Sequence, residues 1–450
     1  MIHLNTPRVK LLFLASFIFI NTLTAQYTIP SKMRWWYEDR FGMFIHFGSY
    51  SGFGHGEWVL FNEKWTKEQY QTKITSNFKP DNFNAKQIVD LAKAAGMKYI
   101  VITAKHHEGF AMWKTNATTF KDYTGEKIFD LYHYLGFQRD LLKELKDECD
   151  KQGLKFGLYY SIMDWNHASQ IADTGNYYST VQSFAAKKQY IEEMKIQLNE
   201  IISLYHPAVL WFDGDWCKNV NPPTLKNWWN KQDAVDLYNY VIGLDPNIIV
   251  NERVKRDLGL GDFTCPEQKI PTAPLPRQWE TCQTINGSWG YDSRDSAYKP
   301  VSGLIKELVQ IVSRDGNYLL NIGPKGDGSL TECTTNSLRG IGNWMNLYSE
   351  SIYGATRSPF SKEPTWGYFT KKEGKLFIHV IQWPANGILE IPMIENKIIR
   401  CYELSDKSST YTFTKKGKDS ICIKIPRSSA PDQSCSVIVI ETEGMPTSKK

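Results

Sequence analysis

From residue 41 onward two textures take turns along the chain: short, nearly continuous apolar runs, and longer stretches in which apolar residues recur every third or fourth position. A run rich in β-branched and aromatic residues suits a strand buried on both faces, and the spaced pattern suits a helix with one apolar stripe. The runs predict strands over residues 41–47, 99–105, 156–161 and 208–213, with strand-like pieces continuing at 247–253, 279–284 and 318–322. Helices are predicted between them. One starts at Asn84, with Gln87 three residues on as a capping box, and carries Ile88, Leu91, Ala92 and Ala95 to a stop at Gly96. A second spaces Leu141, Leu142, Leu145 and Cys149 before Gly153, and a third spaces Ile191, Met194, Leu198 and Ile201 before Pro207. Strands that alternate with helices form a parallel sheet with helical crossovers. So many units without a glycine-rich phosphate loop favour an α/β fold of the (β/α)8-like, TIM-type barrel over an open sheet.

Past about Ser358 the helical spacing disappears and alternating strands follow one another, at residues 368–371, 376–382, 388–391, 398–403, 411–414, 421–425 and 436–441. Turn residues such as Glu373-Gly374 and Lys416-Gly417 separate them. The expected layout is a barrel over residues 26–357 and a C-terminal antiparallel β-sandwich over 358–450. Residues 1–25 are set apart: Arg8 and Lys10 precede the apolar stretch 11–20, and Leu23-Thr24-Ala25 ends in a small residue. That is the pattern of a cleaved signal peptide, so the protein is expected to be exported, to the periplasm or as a secreted enzyme. The apolar stretch is shorter than the roughly 20 residues a bilayer span needs, and no later one comes closer, so no membrane association is expected.

Charge and cysteines narrow the field further. The formal net charge is +5, and loss of Arg8 and Lys10 with the leader reduces it to +3, with acids and bases mixed along the chain. Nucleic acid is therefore not an expected partner. The 8 cysteines are scattered without a CxxC pair, which leaves no recognisable metal-site spacing. Aromatic residues make up 14% of the chain, and their flat faces suit sugar-binding clefts as well as core packing.

The chemistry is expected where the parallel strands end. The fourth run closes as Trp211-Phe212-Asp213-Gly214-Asp215-Trp216, two carboxylates among large aromatics beside a glycine. Asp213, at the carboxyl end of its strand, is the candidate catalytic centre. His46 closes the first strand with Glu57-Trp58 in the next loop. Lys105-His106-His107-Glu108-Gly109 follows the second, Tyr159-Tyr160-Ser161 ends the third, and Asn251-Glu252-Arg253 ends the fifth. Such a rim has many groups that bind hydroxyls, which suits a sugar. Adjacent histidines on an extended segment face opposite ways and chelate one ion poorly, so a metal-dependent hydrolase is the less favoured reading. A barrel that binds sugar without catalysis is the other alternative.

Trp35-Trp36, Arg40-Phe41-Gly42-Met43-Phe44-Ile45-His46-Phe47-Gly48, Lys105-His106-His107-Glu108-Gly109-Phe110, Gly157-Leu158-Tyr159-Tyr160-Ser161, Trp211-Phe212-Asp213-Gly214, and Trp279-Glu280-Thr281-Cys282 with Ser288-Trp289-Gly290-Tyr291 occur in that order. Together they resemble the α-L-fucosidases of glycoside hydrolase family 29 over nearly the whole mature chain. The resemblance implies a retaining exo-glycosidase that takes terminal α-L-fucose from a fucosylated glycan, with no cofactor and no metal. It places Asp213 as the nucleophile and His46, Glu57, Trp58, His106, His107, Tyr160 (chosen over Tyr159), Arg253 and Trp289 at fucose. Phe47 stands where many members have tryptophan. Fucose carries a methyl on C5, and Trp289 and Phe47 are expected to meet it. The general acid is less clear. Glu267 in a loop is preferred, because an acid delivered over the ring needs reach, and Glu280 in the 279–284 strand is the alternative.

Overall fold

The computed structural model describes residues 29–172, 179–181, 183–216 and 228–448. The leader assigned to residues 1–25 lies outside them. Seven parallel strands form one sheet: β1 (Phe41–Ile45), β2 (Tyr99–Lys105), β3 (Lys155–Ser161), β4 (Val209–Asp213), β5 (Ile249–Val250), β6 (Trp279–Thr284) and β7 (Gly316–Ile322). Their order is β5-β4-β3-β2-β1-β7-β6. The two edges are joined by residues 263–267, which bridge in parallel to both sides: Asn251 to Phe263, Thr264 to Trp279 and Glu267 to Cys282. The sheet thus closes into the expected barrel, with an irregular segment in the place of one strand.

Every residue of β1, β2, β4, β6 and β7 is buried, as parallel strands covered on both faces should be. The lumen is filled by Phe44, Tyr99, Val101, Tyr159, Trp211, Phe263 and Leu319, with side chains of the opposite parity packing outward under helices. Six longer helices follow the strands: α1 (Ala85–Ala94), α2 (Leu141–Gln152), α3 (Phe184–Tyr205), α4 (Lys231–Leu244), α5 (Val301–Ser313) and α6 (Glu332–Tyr348).

The local signals act as expected, with two differences. Asn84 caps α1 by accepting from the Gln87 backbone N–H at 2.9 Å, but the Gln87 side chain does not complete a box. The predicted strand 247–253 shrinks to two residues followed by a 3-10 turn, Glu252–Val254. Side chains replace the missing ladder bonds there. Asn251 accepts from the Phe212 N–H at 2.8 Å and donates to the Phe212 carbonyl at 2.9 Å, and Asp262 accepts from the Val250 N–H at 2.8 Å.

Beyond α6 the chain builds two antiparallel sheets. One contains β8 (Gly367–Lys372), β9 (Lys375–Val380), β11 (Ile398–Glu403) and β14 (Ser436–Thr442) in the order β8-β9-β14-β11. The other contains β10 (Ile388–Pro392), β12 (Thr412–Lys416) and β13 (Ser420–Lys424) in the order β10-β13-β12. Phe369, Leu376, Ile391, Ile421 and Ile438 fill the space between them, while Phe377, Tyr402 and Val437 face the barrel and join its core. The Trp344 indole on α6 donates to the Cys435 carbonyl at 2.7 Å across that junction.

Candidate active site

At the carboxyl ends of the strands lies a cavity of about 510 Å³. Asp213 ends β4 and is 8% exposed. One of its oxygens accepts from Arg253 at 3.0 Å and from Arg256 at 3.2 Å, and the other accepts from the Tyr159 hydroxyl at 3.2 Å. The His107 Nε2 stands 3.8 Å from that second oxygen. Gly214 makes the geometry possible. Its φ is +78°, and a Cβ there would lie 2.7 Å from the Met163 backbone nitrogen, so the chain can turn away behind the carboxylate only without a side chain.

Arg253 faces two carboxylates. Its guanidinium rests on the Trp211 ring at 4.5 Å and also donates to Glu267 at 2.9 Å. Burial works against its charge, yet Asp213 and Glu267 hold its pKa well above the usual arginine value. Glu267 stands on the barrel-closing segment with its side chain 42% exposed, while Asp213 is fixed below it.

The remaining wall suits a sugar. His46 is held through Nδ1 by Asn321 at 2.6 Å, and His107 through Nδ1 by Ser161 at 2.6 Å. Burial is the largest cause that keeps both imidazoles far below their usual pKa, with His106 beside them next, so both are neutral at working pH. With Nδ1 engaged, Nε2 is the atom that each neutral imidazole has left for a hydroxyl. His106, Trp58, Trp216 and Trp289 also line the cavity. Among the described residues no three His, Cys, Asp or Glu side chains are grouped to hold a metal ion.

Of the residues singled out from sequence, Asp213, Glu267, His46, Trp58, His106, His107, Arg253 and Trp289 all line this cavity. Four do not. Tyr160 points outward and donates to Gln197 on α3 at 2.7 Å, so the choice within the Tyr-Tyr pair is corrected in favour of Tyr159. Strand parity decides it: Ser161 pairs with Asp213 and Tyr159 with Trp211, which puts 159 and 161 inside. Phe47 packs against Phe78 and stacks on Phe83 behind the wall, which removes it from any contact with sugar. Glu57 sits just behind the lining, accepting from the Gly290 N–H at 2.8 Å, and burial raises its pKa. Sequence reasoning also missed Arg256, Phe44, Cys265, Cys282 and Lys269, which share the cavity. Only Phe44, two residues before His46 and of the same parity, carried a signal that could have found it.

Glu280 lies below the cavity in the lumen, 1% exposed. Its carboxylate accepts from Trp36 at 3.0 Å, from Trp211 at 3.2 Å and from the Tyr99 hydroxyl. Burial lifts its pKa from 4.5 to about 7, although the three donors pull it down. The native state therefore binds more protons than the unfolded one between those values, and stability falls as pH rises from 4.5 to 7. Across that window wild type should lose about 3 kcal/mol relative to Glu280→Gln. Melting temperatures of both proteins against pH would show a gap that changes steadily, and a constant gap would contradict the shift.

A family model described as alpha-L-fucosidase matches residues 22–350. The tissue alpha-L-fucosidase of Macaca fascicularis is 33% identical over 385 residues, covering 79% of this chain and 77% of that protein. Among solved structures, alpha-L-fucosidase isoenzyme 1 from Paenibacillus thiaminolyticus superposes with a TM-score of 0.77 at 30% identity, covering 92% of this chain and 99% of that one. The Thermotoga maritima alpha-fucosidase in complex with a mechanism-based inhibitor gives a TM-score of 0.71 at 25% identity, covering 90% and 96%. With a family model over most of its length and relatives matched along most of theirs, the chain belongs to the alpha-L-fucosidase family.

Proposed function

We propose that this protein is a retaining exo-acting α-L-fucosidase in which Asp213 is the nucleophile and Glu267 the acid/base. The observation that carries the assignment is the single guanidinium of Arg253 shared by a buried carboxylate at 3.0 Å and a half-exposed one at 2.9 Å in one sugar-sized cavity. Retention needs two carboxyl groups about 5 to 5.5 Å apart, one to attack the anomeric carbon and one to protonate the leaving oxygen. Asp213 is fixed by three donors and attacks from below, while Glu267 can swing over the ring. In the geometry described, Glu267 pairs with Arg253 as a carboxylate, which is its form after it has given up its proton. To act as the acid it takes a proton and leaves Arg253, and as the base it then deprotonates the water that hydrolyses the fucosyl-Asp213 ester. The Thermotoga maritima relative was captured with a mechanism-based inhibitor, a kind of ligand that fits this covalent route.

Residues 26–357 carry this chemistry, residues 358–450 brace the barrel, and the leader pattern in residues 1–25 supports export. The direct test follows hydrolysis of an aryl α-L-fucoside by NMR. α-Fucose should appear first and mutarotate later. Tight binding of fucose without turnover would overturn the reading, and β-fucose as first product would overturn the double displacement.

The C5 methyl is assigned to Trp289, whose indole stands 5.2 Å from the His46 ring at the cavity wall. Trp289→Ala should narrow the preference for fucosides over galactosides by about 1–3 kcal/mol in kcat/KM. Equal losses for the two sugars would place the methyl elsewhere.

A further inference from the structure

Lys269 lines the same cavity as Glu267, two residues further along the chain. Between them Gln268 has φ +52°, in the left-handed region that L side chains seldom adopt. The turn is pinned from both sides: the Gln268 N–H donates to the Cys282 carbonyl at 3.0 Å, its side-chain amide donates to Thr284 Oγ1 at 2.8 Å, and the Lys269 carbonyl accepts from Thr281 at 3.0 Å. The backbone under Lys269 is thus fixed to β6, and its ammonium is the free end.

The charges of the cavity explain what that end can hold. Arg253 pairs with Asp213 and Glu267, and Arg256 pairs with Asp213 at 3.2 Å and Asp215 at 3.1 Å. Among the described residues no carboxylate lies within ion-pair distance of Lys269. The three acids and three bases balance only while Glu267 is ionised. In the first chemical step Glu267 must carry a proton, which leaves one positive charge uncompensated on the side from which the leaving oxygen is approached. Lys269 is itself exposed, so an anion brought to this side by the substrate would pair with it as a partly exposed ion pair and add modestly to binding.

We propose that the leaving-group side of the cavity takes an anionic substituent, a carboxylate or a sulfate ester on the unit attached to fucose, against Lys269. This inference rests on the fucosidase reading. Three aryl α-L-fucosides test it: the 3-carboxyphenyl, the 3-sulfophenyl and the neutral 3-carbamoylphenyl compound, assayed at low salt. At least one anionic substrate should show a KM about fivefold below the neutral one, the size expected of a partly exposed ion pair, with the carboxylate and sulfonate arms separating the two sources. The advantage should shrink in about 0.5 M sodium chloride, where screening is strong. Lys269→Gln should bring the KM ratio close to one, and a ratio cancels any general loss in the variant. Equal KM values for all three, or a preference that survives Lys269→Gln, would overturn the inference alone. No turnover of any of the three would overturn the fucosidase reading and this inference with it.

Discussion

Asp213→Gly should lower turnover at least about a thousandfold with little loss of fold, because in the proposed mechanism the variant lacks the atom that forms the covalent bond while both of its arginine partners keep another carboxylate. Arg253 retains Glu267 and Arg256 retains Asp215, so neither cation is left buried and unpaired. The space vacated lies between those guanidinium groups and the Tyr159 hydroxyl, an electropositive slot that a small anion can enter. Added azide should therefore restore turnover and give the fucosyl azide of inverted configuration, since a single displacement replaces two. Product configuration read by NMR distinguishes true rescue from residual wild-type enzyme. Activity near the wild-type level without azide would remove Asp213 from the chemistry.

How far the sequence reached can be seen in the residues around that carboxylate. Asp213 was legible because it ends a continuous apolar strand beside a glycine, a pattern that follows from burial on both faces and a forced turn. The helix stripes of α1, α2 and α3 were legible for the same reason: one face must pack on the sheet, and Leu141, Leu142, Leu145 and Cys149 are buried as their spacing requires. The segment that closes the barrel was not. Residues 263–267 carry no apolar run and pair through single bridges, so their place beside β6 depends on long-range geometry that no local period encodes. Parity does not separate Tyr159 from Tyr160 in the sequence, since both neighbours look alike without the register of β3 on β4. Arg256 lies beyond the 3-10 turn that ends the fifth unit, where side-chain bonds replace the ladder, and its approach to Asp213 had no signal in spacing.

Glu267 is proposed as the acid over Glu280 because of what each carboxyl group is already doing. Glu280 is held by three donors, lies in the lumen and does not line the cavity, so it has no path to the leaving oxygen. Its work is mechanical. It fixes the Trp211 indole, and on Trp211 rest both Arg253, at 4.5 Å, and Tyr159, stacked at 5.8 Å, which are two of the groups that orient Asp213. Glu267 is half exposed, and among the described residues its carboxylate is paired with Arg253 alone. A general acid matters only when the departing oxygen needs a proton, so Glu267→Ala should depress kcat/KM for fucosyl-oligosaccharides by about 10²- to 10⁴-fold while leaving kcat/KM for dinitrophenyl fucoside within about tenfold of wild type; kcat should fall for both, because the same variant lacks the base of the second step. It should also lose the alkaline limb of the kcat/KM profile, which reports deprotonation of the acid in the free enzyme. Glu280→Ala leaves three buried donors without an acceptor. It should lower stability by about 3 kcal/mol or more and slow both substrate classes alike, since a misplaced nucleophile hurts every leaving group. The reverse pattern, with Glu280→Ala selective for poor leaving groups and Glu267→Ala indifferent to them, would transfer the acid role to Glu280.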